Sequence, residues 1–272
     1  MTTARVEIPA KLKPVFAGDA RYRCAHGGRG SGKSYSFALM SAVRGYAQPL
    51  RILCTRDLQV SIKESFYAEV RSAIESTPWL AAHYEIGENY IRGSNGTEYI
   101  FRGLRHNISS IKSMANISLC VIEEAEDVPE ESWRSLTQTI RAPGSEIWVI
   151  WNPRTDGSPV DQRFIKHKPG RCRIAELNYQ DNPWFPPELE EERQNDQAML
   201  DLNTYAHIWD GQYLQMSDAQ VLGDKVRVEE FEPGDDWDGP YYGLDYGFAQ
   251  DPTAAVEVWI AGRRLHMPVR TP

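Results

Sequence analysis

The stretch Gly27-Gly28-Arg29-Gly30-Ser31-Gly32-Lys33-Ser34 decides how this chain folds. It satisfies the spacing G-x-x-x-x-G-K-[ST], a P-loop that wraps a polyphosphate. Its glycines let successive backbone N–H groups turn inward without Cβ clashes. Lys33 brings a point charge to the β- and γ-phosphates, and the Ser34 hydroxyl is placed to ligate Mg²⁺. A helix starting near Lys33 aims its positive end at the same anion. The flanks agree. Tyr22-Arg23-Cys24-Ala25-His26 reads as a short strand, and Tyr35-Ser36-Phe37-Ala38-Leu39-Met40 spaces apolar residues near the helical period. The plain alternative, a Gly/Ser-rich linker that happens to contain lysine, predicts neither flank.

Working outward, Arg51-Ile52-Leu53-Cys54-Thr55-Arg56 reads as a buried strand ending in polar residues. A helix over about residues 60–76 follows, stopped near Thr77-Pro78. Tyr90-Ile91-Arg92 and Glu98-Tyr99-Ile100-Phe101 flank Ser94-Asn95-Gly96, a hairpin signal. Arg102, Arg105, His106 and Lys112 then cluster in a polar stretch. Two readings fit it: a solvated loop, or a surface touching DNA or a neighbouring subunit.

Leu119-Cys120-Val121-Ile122-Glu123-Glu124 is four apolar residues followed by two acids. A buried parallel strand of this kind delivers carboxylates to the sheet edge beside the phosphates, as a Walker B strand must. Glu123 is then placed to hold Mg²⁺ through water, and Glu124 to orient and deprotonate the attacking water. Glu126, Asp127, Glu130 and Glu131, around Pro129, resemble the acidic first turn of a helix. Ile147-Trp148-Val149-Ile150-Trp151-Asn152-Pro153 repeats the theme of an apolar strand with a polar end. Asn152 fits a γ-phosphate sensor at the edge where open α/β sheets bind ligands. It fits a turn-forming Asn before proline equally well. Strands interleaved with helices predict an α/β fold with a mostly parallel sheet covered on both faces.

The chain has 272 residues, 41% hydrophobic and 25% charged, enough to bury a substantial core. No apolar run reaches the length of a membrane span, and the N-terminus lacks the apolar core of a secretion signal. Cys24, Cys54, Cys120 and Cys172 lie far apart without metal-ligand spacing, and three fall in expected buried strands. They read as free thiols in a reducing cytoplasm. The formal net charge of −8 argues against charge-driven coating of nucleic acid while leaving room for a local basic channel.

Cys172-Arg173-Ile174-Ala175-Glu176-Leu177 adds another expected strand, and a stiff Pro-rich turn follows over residues 178–187. Helices are expected over about 187–198 and 202–209, ending at Gly211, with Trp184, Phe185, Tyr205 and Trp209 packing that small unit rather than stacking on bases. Residues 234–240 read as a turn or linker, after which Tyr241-Tyr242-Gly243-Leu244-Asp245-Tyr246-Gly247-Phe248 opens a new β pattern. Alone, Asp245 reads as a turn former as readily as a metal ligand.

Taken together, the loop around Lys33, Cys120-Val121-Ile122-Glu123-Glu124-Ala125-Glu126, Trp151-Asn152-Pro153, Asn178-Tyr179-Gln180-Asp181-Asn182-Pro183, His207-Ile208-Trp209-Asp210-Gly211 and Gly243-Leu244-Asp245-Tyr246-Gly247 resemble, in order and spacing, the large terminase subunit of tailed bacteriophages. That resemblance implies a P-loop ATPase domain over 1–178, a helical linker over 179–216, and the beginning of an RNase H-like nuclease domain over 217–272. It implies ATP and Mg²⁺ as cofactors. It also implies double-stranded DNA, the portal protein of the procapsid and the small terminase subunit as partners, and a homo-oligomeric ring in the host cytoplasm without membrane association. Arg29 becomes a cis arginine on the γ-phosphate, a role that can matter by about 10³–10⁵ in rate. Asn152 joins a motif coupling hydrolysis to linker movement, and Lys112 is placed to reach a neighbour's ATP. Asp245 matches the first ligand of a nuclease site holding two Mg²⁺ or Mn²⁺ ions about 3.5–4 Å apart. The later carboxylates of that site are missing after about two strands, so this chain alone is expected not to cut DNA.

Overall fold

Tyr22–His26 forms strand β1 and Lys33–Ala47 forms helix α1, so the glycine-rich loop is a strand-to-helix turn. A computed structural model describes residues 5–56, 65–104, 111, 114–214, 231–245, 254–262 and 264–267. The chain divides into two units, 1–215 and 216–272.

In the first unit β2 (Arg51–Arg56), α2 (Phe66–Glu75), β3 (Tyr84–Ile86), β4 (Ile91–Gly93) and β5 (Glu98–Gly103) follow α1. Next come β6 (Leu119–Ile122), α3 (Glu130–Thr139), β7 (Glu146–Trp151) and β8 (Cys172–Glu176). The eight strands form one sheet in the order β3-β4-β5-β2-β6-β7-β1-β8. From β5 to β8 every pairing is parallel; β3 and β4 pair antiparallel at one edge. At the β4–β5 turn Gly93 N donates to Thr97 O at 2.8 Å, closing the expected hairpin around Asn95-Gly96.

The central strands are largely apolar because both faces are covered. Successive residues point to opposite faces. Ala25, Val121, Trp148 and Ile150 pack under α1 and α2, with Phe37, Phe66, Val70 and Ile74. Cys24, Cys120, Ile122, Val149 and Trp151 pack on the other side with Trp133, Leu136 and Phe164, from α3 and the short helical segment 159–166. Cys24, Cys54 and Cys120 are buried, Cys172 is half-buried, and all four are free thiols.

The N-terminal ends of these strands carry a buried ion cluster. Glu146 accepts from Arg23 (2.7 and 3.0 Å), Arg44 (2.6 Å) and the Trp148 indole (2.7 Å). Arg23 also donates to the carbonyls of Val15, Ala17 and Gly18, tying down the N-terminal arm, whose Phe16 packs edge-on against Phe37 and Trp148.

Three local expectations meet the structure differently. Of the helix expected over 60–76, the described part runs from Phe66 to Glu75, and residues 57–64 lie outside the described residues. That helix stops before Thr77-Pro78 as expected, and Pro78–Ala81 then starts a new short helix, with proline where its missing N–H is not needed. In the second unit β9 (Asp238–Asp245) takes in Gly239-Pro240, which the sequence reads as a turn. It pairs with β10 (Ala254–Ala261), which pairs with β11 (Arg264–His266), all antiparallel. Proline is tolerated because β9 is an edge strand among the described residues.

Helices α4 (Pro187–Met199) and α5 (Leu202–Trp209) belong to the first unit and match their expected spans to within a residue. They are pinned together by Arg193 on the Tyr205 hydroxyl and by the Trp209 indole on Asp196 (3.0 Å).

Candidate functional site

The sheet order brings four chemically distinct chain segments to one edge. β7 lies between β1 and β6, and β2 flanks β6. His26 pairs with Trp151, and Ile122 pairs with both Val149 and Thr55. The loop 27–34, Asn152, Glu123-Glu124 and Arg56 therefore sit at or just beyond neighbouring C-terminal strand ends.

The loop is shaped as much by what presses on it as by its own turn. Gly28 N donates to Asn178 Oδ1 (2.8 Å), Arg29 N to Ile208 O (2.7 Å), and Asn182 Nδ2 to Gly30 O (2.6 Å). A Cβ on Gly28 would lie 2.1 Å from the Trp209 carbonyl oxygen, and one on Gly27, at φ +134°, would lie 1.9 Å from that of Leu177. Neither position admits a side chain. The amides of residues 30 to 34 donate to no described acceptor, so with the first turn of α1 they are free donors of the kind that suits an anion.

Lys33 is buried, and its Nζ donates to Gly27 O (3.0 Å), Gly28 O (2.7 Å) and Ser31 Oγ (2.7 Å). Burial of the ammonium, without a carboxylate partner among the described residues, pushes its pKa down to about 7. The Ser34 hydroxyl lies 3.4 Å from Glu123 Oε1. A hydroxyl and a carboxylate facing each other beside an anion nest are hard oxygen donors that suit Mg²⁺, which keeps most of its waters and borrows phosphate oxygens.

Burial raises the Glu123 carboxyl above its ordinary range, opposed by Arg56, Ser34 and Ser65. Glu124 follows with φ 50° and ψ 49°, a left-handed conformation rare outside glycine, and its side chain is half exposed. Arg56 forms an ion pair with Glu124, approaches Glu123 at 3.7 Å, and donates to Ser65 Oγ at 2.9 Å. Glu69 on α2 is raised by burial and by the charge of Glu123. The Arg29 and Asn152 side chains are exposed at the site's rim.

Glu126 and Asp127 do not belong to the first turn of α3, which holds Glu130 and Glu131. They form a separate turn that grips the chain after β7. Glu126 accepts from Thr155 N (2.8 Å) and Ser158 Oγ (3.2 Å), and Asp127 pairs with Arg154 (2.5 Å). Arg154 O in turn accepts from Leu214 N (2.8 Å), and Tyr213 donates to buried Asp161 (2.6 Å). The carboxylate strand, the Asn152 turn and the chain leaving α5 thus form one hydrogen-bonded series.

Arg56, Ser65 and this series were not singled out from sequence. The available signal was a basic residue ending an apolar strand. Lys112, Arg105 and His106 lie outside the described residues, and Arg102 donates to its neighbour Phe101 O. Asp245 is the last residue of β9, paired with Ala254. Among the described residues no group of three or more His, Cys, Asp or Glu is placed to hold a metal, and no helix is long and apolar enough to cross a membrane.

Residues 19–212 match the family described as "Phage terminase large subunit". The PBSX phage terminase large subunit of Bacillus subtilis (strain 168) is 29% identical over 137 residues, 50% of this chain and 31% of that protein. Among solved structures, the large terminase from a thermophilic bacteriophage, in its second crystal form, superposes with a TM-score of 0.60 at 14% identity, covering 94% of this chain and 63% of that one. The same thermophilic-phage protein is also known in complex with ATP-gamma-S. The large terminase ATPase domain of Thermus phage P74-26 gives 0.57 at 14% identity, covering 76% of this chain and 94% of that domain. The chain spans about a third of the length of the PBSX relative and under two thirds of the first of these solved terminases.

Proposed function

Because this chain belongs to the phage terminase large-subunit family, we propose that it is an ATP-hydrolysing motor subunit that drives double-stranded viral DNA into procapsids. The observation that carries the proposal is the nest of amides around Lys33 lying beside Ser34, Glu123 and Glu124 at one sheet edge.

The amides of residues 30–34 hold the polyphosphate, and Lys33 leaves its three oxygen acceptors to pair with the β- and γ-oxygens. Arg29, exposed on the loop, folds onto the γ-phosphate and neutralises charge that builds during transfer. Ser34 and, through water, Glu123 would hold Mg²⁺, which when bound would supply charge neutralisation to the phosphates. Glu124 takes the proton of the attacking water once its carboxylate exchanges Arg56 for that water. Asn152 senses the γ-phosphate, and its displacement passes through Arg154 to the backbone at Leu214.

The working partners on this reading are double-stranded DNA, the portal of the procapsid, the small terminase subunit and further copies in a ring, in the host cytoplasm. Phosphate release from ATP should rise with DNA and with portal-bearing procapsids. Turnover indifferent to both would sink the motor assignment and leave a nucleotide-binding protein or another DNA-dependent ATPase. Asp245 would supply one carboxylate of a nuclease metal site; Mn²⁺-dependent DNA cutting that Asp245→Ala leaves intact would contradict that role.

A further inference from the structure

We propose that Tyr35 and Trp184 receive the base of the nucleotide, so that the site selects nucleoside triphosphates over inorganic polyphosphate. This rests on the nucleotide-site reading above and adds the end of the ligand which that reading leaves unassigned.

The direction of the ligand follows from the sheet. The γ-phosphate must face Ser34 and Glu123, which lie 3.4 Å apart, and Glu123 follows β6 on the far side of β7. The α-phosphate, ribose and base must then run the other way from the loop, toward β8. β8 leads into residues 177–185, which close over the loop on that side. Asn182 donates to Gly30 O at 2.6 Å and accepts from Trp184 N at 2.9 Å. The backbone of Trp184 is therefore held one side chain away from the phosphate loop. Tyr35 immediately follows Ser34 in the first turn of α1. The two half-buried rings meet edge-on, 5.1 Å between centroids at 74°.

Neighbouring aromatic rings are engaged elsewhere. Phe185, Tyr179 and Trp209 pack on one another, and Phe185 also closes on Gly30. Tyr35, which also packs against the core under α1, and half-buried Trp184 form the aromatic pair where the base arrives, and every base offers a π-face to an indole. Stacking of this kind contributes about tenfold or more to affinity and discriminates bases by ring area rather than by hydrogen bonding. The site should favour purines over pyrimidines with little distinction between adenine and guanine.

The test is calorimetric titration of the full chain, with Mg²⁺, using ATP, CTP and inorganic tripolyphosphate. Trp184→Ala should weaken ATP about tenfold while leaving tripolyphosphate unchanged, and Trp184→Phe should restore most of the ATP affinity. Tyr35→Ala, predicted to show the same split, replaces Trp184→Ala should that variant lose its native circular dichroism. Equal weakening of both ligands, or no change in ATP, overturns the base-receiving role. Lys33→Ala must lose both ligands in every background. A wild-type chain binding tripolyphosphate as tightly as ATP overturns the aromatic pair alone, whereas one binding neither overturns the nucleotide site as well.

Discussion

The two ends of the parallel sheet each carry a glutamate among arginines, and the environments oppose each other. At the N-terminal end, burial would raise Glu146, but hydrogen bonds from Arg23, Arg44 and Trp148 more than offset it and hold the carboxyl below its ordinary range. At the C-terminal end, Glu123 has two hydroxyls at 3.4 Å and a guanidinium at 3.7 Å, and there burial wins. Its neighbour Glu124 is half exposed on a left-handed backbone. One cluster is consumed by the fold; the other keeps coordinating capacity for something the chain does not itself provide. Under-satisfied charge at a strand end is the physical mark of a site.

The comparison can be broken most decisively at the C-terminal end. Glu124→Gln should lower ATP turnover by about 10²–10⁴-fold, the range of a lost general base, with ATP affinity retained. Lys33→Ala should remove binding and turnover together. Steady-state phosphate release beside calorimetric titration separates the two, and unaffected turnover in Glu124→Gln removes that residue from the base role.

At the other end, Glu146→Gln strands the buried Arg23 and should cost about 3–5 kcal/mol of stability in urea unfolding. Unfolding as resistant as wild type would mean the cluster is not consumed by the fold after all.

That stabilisation has a defined pH window. The Glu146 carboxyl titrates lower in the folded chain than its ordinary value of 4.5, so the unfolded chain binds the proton first. Its contribution is complete above that ordinary value and disappears as pH falls through the lowered folded value. The melting-temperature gap between wild type and Glu146→Gln should be wide at pH 7 and narrow progressively below pH 4.5. A gap independent of pH would assign the loss to packing.

The smallest effect is expected for Arg56→Ala. Its ion-pair partner Glu124 is half exposed and solvent-screened, and the 3.7 Å approach of Arg56 to Glu123 is longer than a hydrogen bond, so unfolding should shift by less than about 1 kcal/mol. A loss as large as that of Glu146→Gln would erase the distinction between the two ends.

What was legible in sequence is what chemistry ties to residue type at fixed spacing. Gly27 to Ser34 and Glu123-Glu124 could be placed because a phosphate nest and a strand-end carboxylate pair admit few alternatives. The strand ending at Asn152 was visible for the same reason. Glu146 was not: a glutamate before an apolar run reads as exterior, and only Arg23 and Arg44, distant in sequence, make it a core residue. Arg56 was hidden likewise, since its partnership with Glu124 exists only once β2 and β6 lie side by side. Ile208 and Asn178 lie in segments that the family resemblance marks, but their grip on the loop's backbone amides could not be read from spacing. Glu126 and Asp127 showed acidity but not direction, and their bonds to Thr155, Ser158 and Arg154 come from the sheet order.

The family match begins at residue 19, just past the arm that wraps the base of the sheet. Trimming an expression clone to that limit would delete the Val15, Ala17 and Gly18 carbonyls and the Phe16 ring with them. The Arg23 guanidinium, 2% exposed, would keep Glu146 but lose every main-chain acceptor it has. Insolubility of such a shortened protein would then report on a severed anchor, not on a domain unable to fold by itself.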